Sequence, residues 1–343
     1  MKAFIMAAGL GTRLRPLTYY LPKPLVPIVN IPAIGHLMNS LKKYSIKEVI
    51  VNLHYYPELI TSYLSDGNKW KIKIKYSYEK KLLGTAGGVK LKEKFFDSTF
   101  LVVSADGISD INFKKVIEFH RQKKSIATVV LKPVDIKLEY GVVEINSESK
   151  IINFYEKPSL NEIFTNLVNT GIYVFEPKIF KYIPKNRFYD FGSQLLPKLV
   201  KSGLPIYGYV TKEYWCDVGN LIEYKKAQHD CLDGKLKIKI PAKQIIDKVW
   251  VGKNTFLPKN IKIHPPCLIG DNVKIGDNCI IGSYTIIGNN CNLGNCVKIY
   301  DSILWDNVTV KSNVNLNSCI IASNAVVVDS ITMFDGTIIN INS

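Results

Sequence analysis

The chain has 343 residues, 47% of them apolar, and a formal charge of +16. That length suits two domains and that apolar content fills a sizeable core, which excludes a disordered chain. The charge suits anionic small-molecule substrates, while dispersed lysines with no aromatic-interleaved basic run exclude a nucleic-acid partner from our expectation.

The first strand is expected over Ala3–Ala7. The loop after it reads Ala8-Gly9-Leu10-Gly11-Thr12-Arg13, with Pro22-Lys23-Pro24 downstream. Two glycines let backbone turn sharply and approach a ligand, and successive N–H groups can cradle phosphate oxygens. Arg13 and Lys23 add positive charge beside that cradle. No Gly-Lys-Ser/Thr follows, so this is not a P-loop, and Leu14 breaks the dinucleotide Gly-x-Gly-x-x-Gly fingerprint. Only four of the 45 basic side chains are arginine, and two of them, Arg13 and Arg15, lie here. Arginine is the side chain suited to bidentate phosphate recognition.

Further strands are expected over Val49–Leu53, Ile72–Tyr78, Phe100–Ser104 and Ala127–Leu131. Helices over Ile34–Lys43, Pro57–Leu64 and Phe113–Gln122 alternate with them. That alternation predicts an α/β fold with a doubly wound, mainly parallel sheet, which binds ligands beyond the carboxyl ends of its strands. Asp106 closes the strand that includes Leu101–Ser104 and so stands on that rim, with Asp110 a near competitor. Strands over Gly141–Ile145, Ile151–Tyr155 and Gly171–Phe175 read as a mixed extension. Asp190 is a plausible N-cap for the helix that follows and ends at Gly203.

Beyond Pro241 the pattern changes. Gly270, Gly276, Gly282, Gly288 and Gly294 recur every six residues, each after an aliphatic residue. This hexad repeat predicts a left-handed parallel β-helix with the aliphatic side chain inward and the glycine allowing the corner. The register blurs after Ile299 and resumes near Val308. Small residues such as Cys279 and Cys291 fall at a second inward position. Seven cysteines, an odd number, fit no disulfide framework or zinc spacing, and Cys291 and Cys296 read as reduced and buried. No apolar run reaches the ~18 residues of a membrane span, and Met1-Lys2 leads straight into a strand, so a cytoplasmic protein is expected.

Gly9-x-Gly11-Thr12-Arg13 with Pro22-Lys23-Pro24 resembles the signature of the nucleotide-sugar pyrophosphorylases, the sugar-1-phosphate nucleotidyltransferases. The resemblance runs from Met1 to about Gly234. It implies a Rossmann-like, GT-A-like nucleotidyltransferase sheet followed by the β-helix, divided as residues 1–233, a linker over 234–248, and 249–343. It further implies that Asp106 binds Mg²⁺ and that Asp217, in Trp215-Cys216-Asp217-Val218-Gly219, is the second ligand. Two carboxylates with phosphate oxygens and water are ordinary magnesium chemistry. An N-cap for the helix starting near Leu221 is the other reading of Asp217. By the same resemblance Glu156 meets sugar hydroxyls, Lys157 pairs with the sugar 1-phosphate, and Gly141 and Asn169 line the sugar pocket. Tyr173 reads as core.

Leu83-Gly84-Thr85-Ala86-Gly87-Gly88 resembles the loop facing the nucleobase, so Gly84, Thr85 and Ala86 are expected at the nucleotide. Glu79 stands where pyrimidine-using relatives carry Gln. A carboxylate only accepts, which matches the two donors on one edge of guanine and favours GTP, and a solvent-exposed Glu79 is the other reading. The expected reaction is NTP plus sugar 1-phosphate giving NDP-sugar and pyrophosphate, by in-line attack and without a covalent enzyme intermediate. The pattern is most like mannose-1-phosphate guanylyltransferases, with glucose-1-phosphate thymidylyl- or uridylyltransferase second. An acyltransferase β-helix and a catalytically inactive regulatory homologue are the alternatives from other classes. The β-helix otherwise reads as a spacer or an oligomerisation module, and a homo-oligomer is expected.

Overall fold

The structure, a computed structural model, describes residues 1–135, 140–156 and 165–339. Two compact units form. One comprises Met1–Leu10, Pro22–Pro24 and Leu37–Asp217; the other comprises Gly11–Leu21, Leu25–His36 and Val218–Ser343.

The first unit is a nine-stranded sheet of β1 (Lys2–Met6), β2 (Glu48–Leu53), β3 (Lys73–Tyr78), β4 (Phe100–Ser104), β5 (Ala127–Pro133), β6 (Val142–Ile145), β7 (Ile151–Tyr155), β8 (Leu167–Phe175) and β9 (Ile206–Val210). The parallel half runs β3-β2-β1-β4. Continuous burial of Ala3, Phe4 and Ile5 and of Leu101, Val102 and Val103 marks β1 and β4 as strands covered on both faces. β3 is the edge and turns Lys73 and Lys75 to water, a charge pattern that discourages further pairing.

The sheet becomes mixed where β8 lies antiparallel on β4, then on β5 and β6. β9, which the apolar pattern does not single out, pairs parallel with β5. Phe100 stacks on Phe96 at 4.2 Å and on Phe180 at 5.5 Å within the core that also holds Phe175 and Phe191. Helices Ala33–Lys43, Pro57–Leu64 and Phe113–Gln122 fall where periodicity puts them.

In the second unit the hexads wind into a parallel β-helix. Strands stack through pairs such as Cys267↔Thr285, Ile286↔Ile303 and Ile303↔Ile320. The glycines do not take the left-handed conformation at the corners. Residues two positions later do, among them Asn272 (φ 56°), Asn278 (φ 57°) and Asn290 (φ 56°). Glycine is required for coil-on-coil approach: a Cβ on Gly270 would lie 2.6 Å from the Gly288 carbonyl oxygen. Asparagine tolerates the left-handed region, and the corner asparagines bond one another, as in Asn272 Nδ2 to Asn290 Oδ1 at 3.0 Å.

The register lapse after Ile299 also has a cause. Corner partners are 18 residues apart early, as in Asn254 and Asn272, and 17 apart later, as in Asn307 and Asn324. The corners Tyr300-Asp301 and Asn317-Ser318 have two residues where Gly276-Asp277-Asn278 has three. Six cysteines are buried, but Cys296 is an exposed corner residue with φ 57°, which corrects its expected burial.

The helix Leu221–Leu232 lies in the second compact unit. Its polar and aromatic side chains explain this. Trp305 Nε1 donates to Tyr224 Oη at 2.8 Å, and Lys225 Nζ donates to Asp301 Oδ2 at 2.9 Å. Among the described residues no helix is long and apolar enough to cross a membrane.

Candidate active site

Asp106 follows β4 at its carboxyl end, as expected. The next strand, Gly107–Ser109, pairs antiparallel with Trp215–Asp217, and the register sets Asp217 opposite Gly107. This ladder brings two carboxylates together from positions more than a hundred residues apart. The helix after Asp217 is capped by Asn220, whose Oδ1 accepts from the Glu223 N–H at 2.9 Å. Asp217 is therefore not spent as the N-cap. Asp110 is held elsewhere, its Oδ1 accepting from the Tyr214 N–H at 2.8 Å.

Lys23 completes the cluster. Its ammonium donates to Asp106 Oδ2 at 2.8 Å and to Asp217 Oδ1 at 3.0 Å, and the residue is 7% exposed. Burial alone would lower the Lys23 pKa, but the two carboxylates outweigh it and raise it above its ordinary value. Burial would likewise raise Asp106, yet Lys23 and the hydroxyl of Ser104 hold it below the usual carboxylate range. Ser104 was not singled out in the sequence; its hydroxyl donates to Asp106 Oδ1.

The donor set fits a hard divalent cation. Two carboxylate oxygens converge on one point, and all donors are oxygen. Among the described residues no three His, Cys, Asp or Glu side chains gather around a metal site, so two protein ligands would leave the remaining positions to phosphate and water.

Glu79 is buried at 5% exposure beyond the end of β3. Its Oε1 accepts from Asn52 Nδ2 at 2.8 Å and its Oε2 from the Leu83 N–H at 3.1 Å. Asn52 in turn accepts from the Ala7 N–H at 2.7 Å, next to Ala8 and Gly9. Asn52 thus ties the loops after β1 and β3 together, a role that no sequence pattern marks. The stretch read as a loop at Gly84 begins a helix, Gly84–Lys90. Gly84 takes φ 74°, and a Cβ there would meet the Tyr189 carbonyl oxygen at 2.6 Å. The Thr85 hydroxyl donates to Asp190 Oδ2 at 2.7 Å, and the Ala86 N–H donates to the Tyr189 carbonyl at 3.0 Å. These donors of Thr85 and Ala86 brace the helix start.

Gly141, Glu156 and Asn169 come together. A Cβ on Gly141 would lie 2.8 Å from Glu156 Oε2, and the Asn169 N–H donates to the Gly141 carbonyl at 2.8 Å. Asn169 Nδ2 donates to the buried Tyr173 hydroxyl at 2.8 Å and its Oδ1 accepts from the Gly171 N–H, which fixes the amide. Trp215, beside Asp217, donates to the Thr170 carbonyl at 3.1 Å, linking this group to the carboxylate pair. Lys157 lies outside the described residues. Gly11, Thr12 and Arg13 belong to the second unit, where Gly11 (φ 65°) opens the turn Thr12–Leu14 and its carbonyl accepts from the Thr18 hydroxyl at 2.7 Å. Thr12 and Arg13 are exposed.

Residues 2–234 match the family described as Nucleotidyl transferase, and residues 244–343 match the EIF2B subunit epsilon LbH domain, a left-handed β-helix. The chain is 38% identical over 286 residues to the UTP–glucose-1-phosphate uridylyltransferase of Synechocystis sp., covering 79% of this chain and 74% of that one. It is 36% identical over 276 residues to mannose-1-phosphate guanylyltransferase 1 of Arabidopsis thaliana, covering 79% and 75%. A crystal structure of a putative glucose-1-phosphate thymidylyltransferase from Bacillus anthracis superposes with a TM-score of 0.62 at 26% identity, over 70% of this chain and 96% of that one.

Proposed function

Because the chain belongs to the nucleotidyl transferase family, we propose that it transfers a guanylyl group from GTP to mannose 1-phosphate, giving GDP-mannose and pyrophosphate. The observation that carries the chemistry is the convergence of Asp106 and Asp217 on one cation. Asp106 and Asp217 would hold Mg²⁺, which when bound neutralises charge at the reacting phosphates. The sugar phosphate oxygen attacks the α-phosphorus in line, and pyrophosphate leaves. Lys23 offsets the charge that develops on the leaving group, and Lys157 brings the anionic nucleophile against another anion. Glu156, Asn169 and the Gly141 backbone orient the sugar. Catalysis is positioning and charge neutralisation throughout.

The choice of base rests on Glu79. Each of its oxygens has one internal donor and keeps an acceptor site, so a base edge that donates is favoured over one that accepts. A second reading has its own support. The internal bonds bury Glu79, and the Synechocystis relative is a uridylyltransferase acting with UTP and glucose 1-phosphate. Pyrophosphate release with Mg²⁺ separates the two. We expect kcat/KM for GTP with mannose 1-phosphate to exceed that of every other pair among GTP, UTP, dTTP, ATP and CTP by about tenfold or more. Preference for UTP with glucose 1-phosphate selects the second reading, and silence in every combination overturns both.

A further inference from the structure

We infer that Lys23 has two stations: without nucleotide it is the internal counter-ion that keeps Asp106 and Asp217 closed to a free metal ion, and it leaves them for phosphate when metal and nucleotide enter together. The inference rests on the reading of Asp106 and Asp217 as the metal pair.

The argument starts from which oxygens are in use. Asp106 Oδ1 accepts from Ser104, and Oδ2 accepts from the Lys23 ammonium at 2.8 Å. Asp217 Oδ1 accepts from the same ammonium at 3.0 Å. A metal ion held by this pair would compete with Lys23 for these oxygens. The ammonium and a divalent ion cannot share them, because two cations within about 4 Å of each other in a half-buried site repel by several kcal/mol.

Charge balance points the same way. Two carboxylates drawn together without a cation are costly, and Lys23 relieves that cost where it stands. A free metal ion must displace a buried, doubly bonded ammonium before it gains the pair. A metal ion arriving on a triphosphate brings the anion that receives Lys23, so displacement and re-pairing happen in one event. The backbone around Lys23 is held by Pro22 and Pro24, which leaves the motion to its flexible four-carbon stem. Lys23 therefore couples metal entry to nucleotide entry, and the enzyme takes up the two as a complex.

The test measures Mn²⁺ binding to full-length protein in the absence of nucleotide, by the resonance signal of free Mn²⁺. Wild type should bind weakly. Lys23→Met should bind about tenfold or more tightly, and the gain should vanish in Lys23→Met/Asp217→Asn. On the wild-type chain, mass spectrometry after brief amine labelling should show Lys23 protected alone and more reactive with saturating Mn²⁺. This second measurement stands if the variant does not fold. Equal or weaker Mn²⁺ affinity in Lys23→Met, lost in the double variant, overturns the two-station role and leaves the metal pair intact. Unchanged Lys23 reactivity with Mn²⁺ bound at a site lost in Asp217→Asn does the same. Mn²⁺ binding that ignores Asp217, or no binding in any form, overturns the metal pair and the inference with it.

Discussion

Replacing Glu79 by Gln keeps its shape and changes one acceptor into a donor. In this site the new amide cannot be satisfied in either flip. One arrangement turns its N–H₂ toward Asn52 Nδ2, and the other turns it toward the Leu83 N–H. Asn52 could flip in reply, but its Oδ1 accepts from the Ala7 N–H and would be lost there. Glu79→Gln should therefore cost about 1–3 kcal/mol, the desolvation of one buried unpaired donor, read in denaturant unfolding. If Glu79 also reads the base, the same variant should lower the GTP/UTP ratio of kcat/KM by about tenfold. A stability loss with an unchanged ratio would make Glu79 a brace alone. Asn52 is the residue that makes Glu79 a brace. A lone Asn at the end of a strand carries no motif, so the sequence could not mark it.

At the scale of the element, the turn that opens with Asp190 decides where the Glu156 carboxylate stands. Asp190 Oδ1 caps it by accepting from the Gly192 and Ser193 N–H groups, as the N-cap reading expects. A Cβ on Gly192 would lie 2.1 Å from Glu156 Oε2, too close to coexist with the present rotamer. The atom in the way is the end of a flexible side chain, so Gly192→Ala should fold and push Glu156 aside. We expect KM for the sugar 1-phosphate to rise about tenfold, with KM for the nucleotide nearly unchanged. Equal rises in both would place Glu156 outside the sugar subsite. These elements show what local pattern can carry. Apolar runs revealed β1, β2 and β4, because a strand buried on both faces is written in consecutive residues. The pairing of Gly107–Ser109 with Trp215–Asp217 is long-range and only three residues deep, so Asp106 and Asp217 could be matched by resemblance but not by periodicity. The Gly192–Glu156 approach has no local signal at all.

At the scale of the whole molecule, the second unit joins helix and β-helix through charge as well as packing. Asp301 sits on a shortened corner, where Ser318 Oγ donates to its Oδ2 at 2.5 Å and Lys225 Nζ donates at 2.9 Å. His229 Nε2 lies 2.7 Å from its other oxygen. Burial would raise the Asp301 pKa, but His229, Ser318 and Lys225 outweigh it and hold the carboxyl well below its usual range. A carboxylate depressed in the folded state adds stability that is fully present above its unfolded pKa, near 3.9, and is lost as pH falls toward the folded value. The shortened corners are what align Asp301 with Ser318 one coil on, so the lapse in the hexad repeat and this charge cluster have one origin. Asp301→Asn removes the anion but keeps the corner, since asparagine tolerates the left-handed φ of 46° found there. It should cost about 1–2 kcal/mol at neutral pH, leaving the Lys225 ammonium short of its partner. The difference from wild type should shrink as the pH is lowered below about 4, where the native carboxylate begins to lose its advantage. Thermal unfolding of both proteins across pH 7 to 3 reads this directly. A gap that stays constant with pH would show that Asp301 acts through corner geometry and not through its charge.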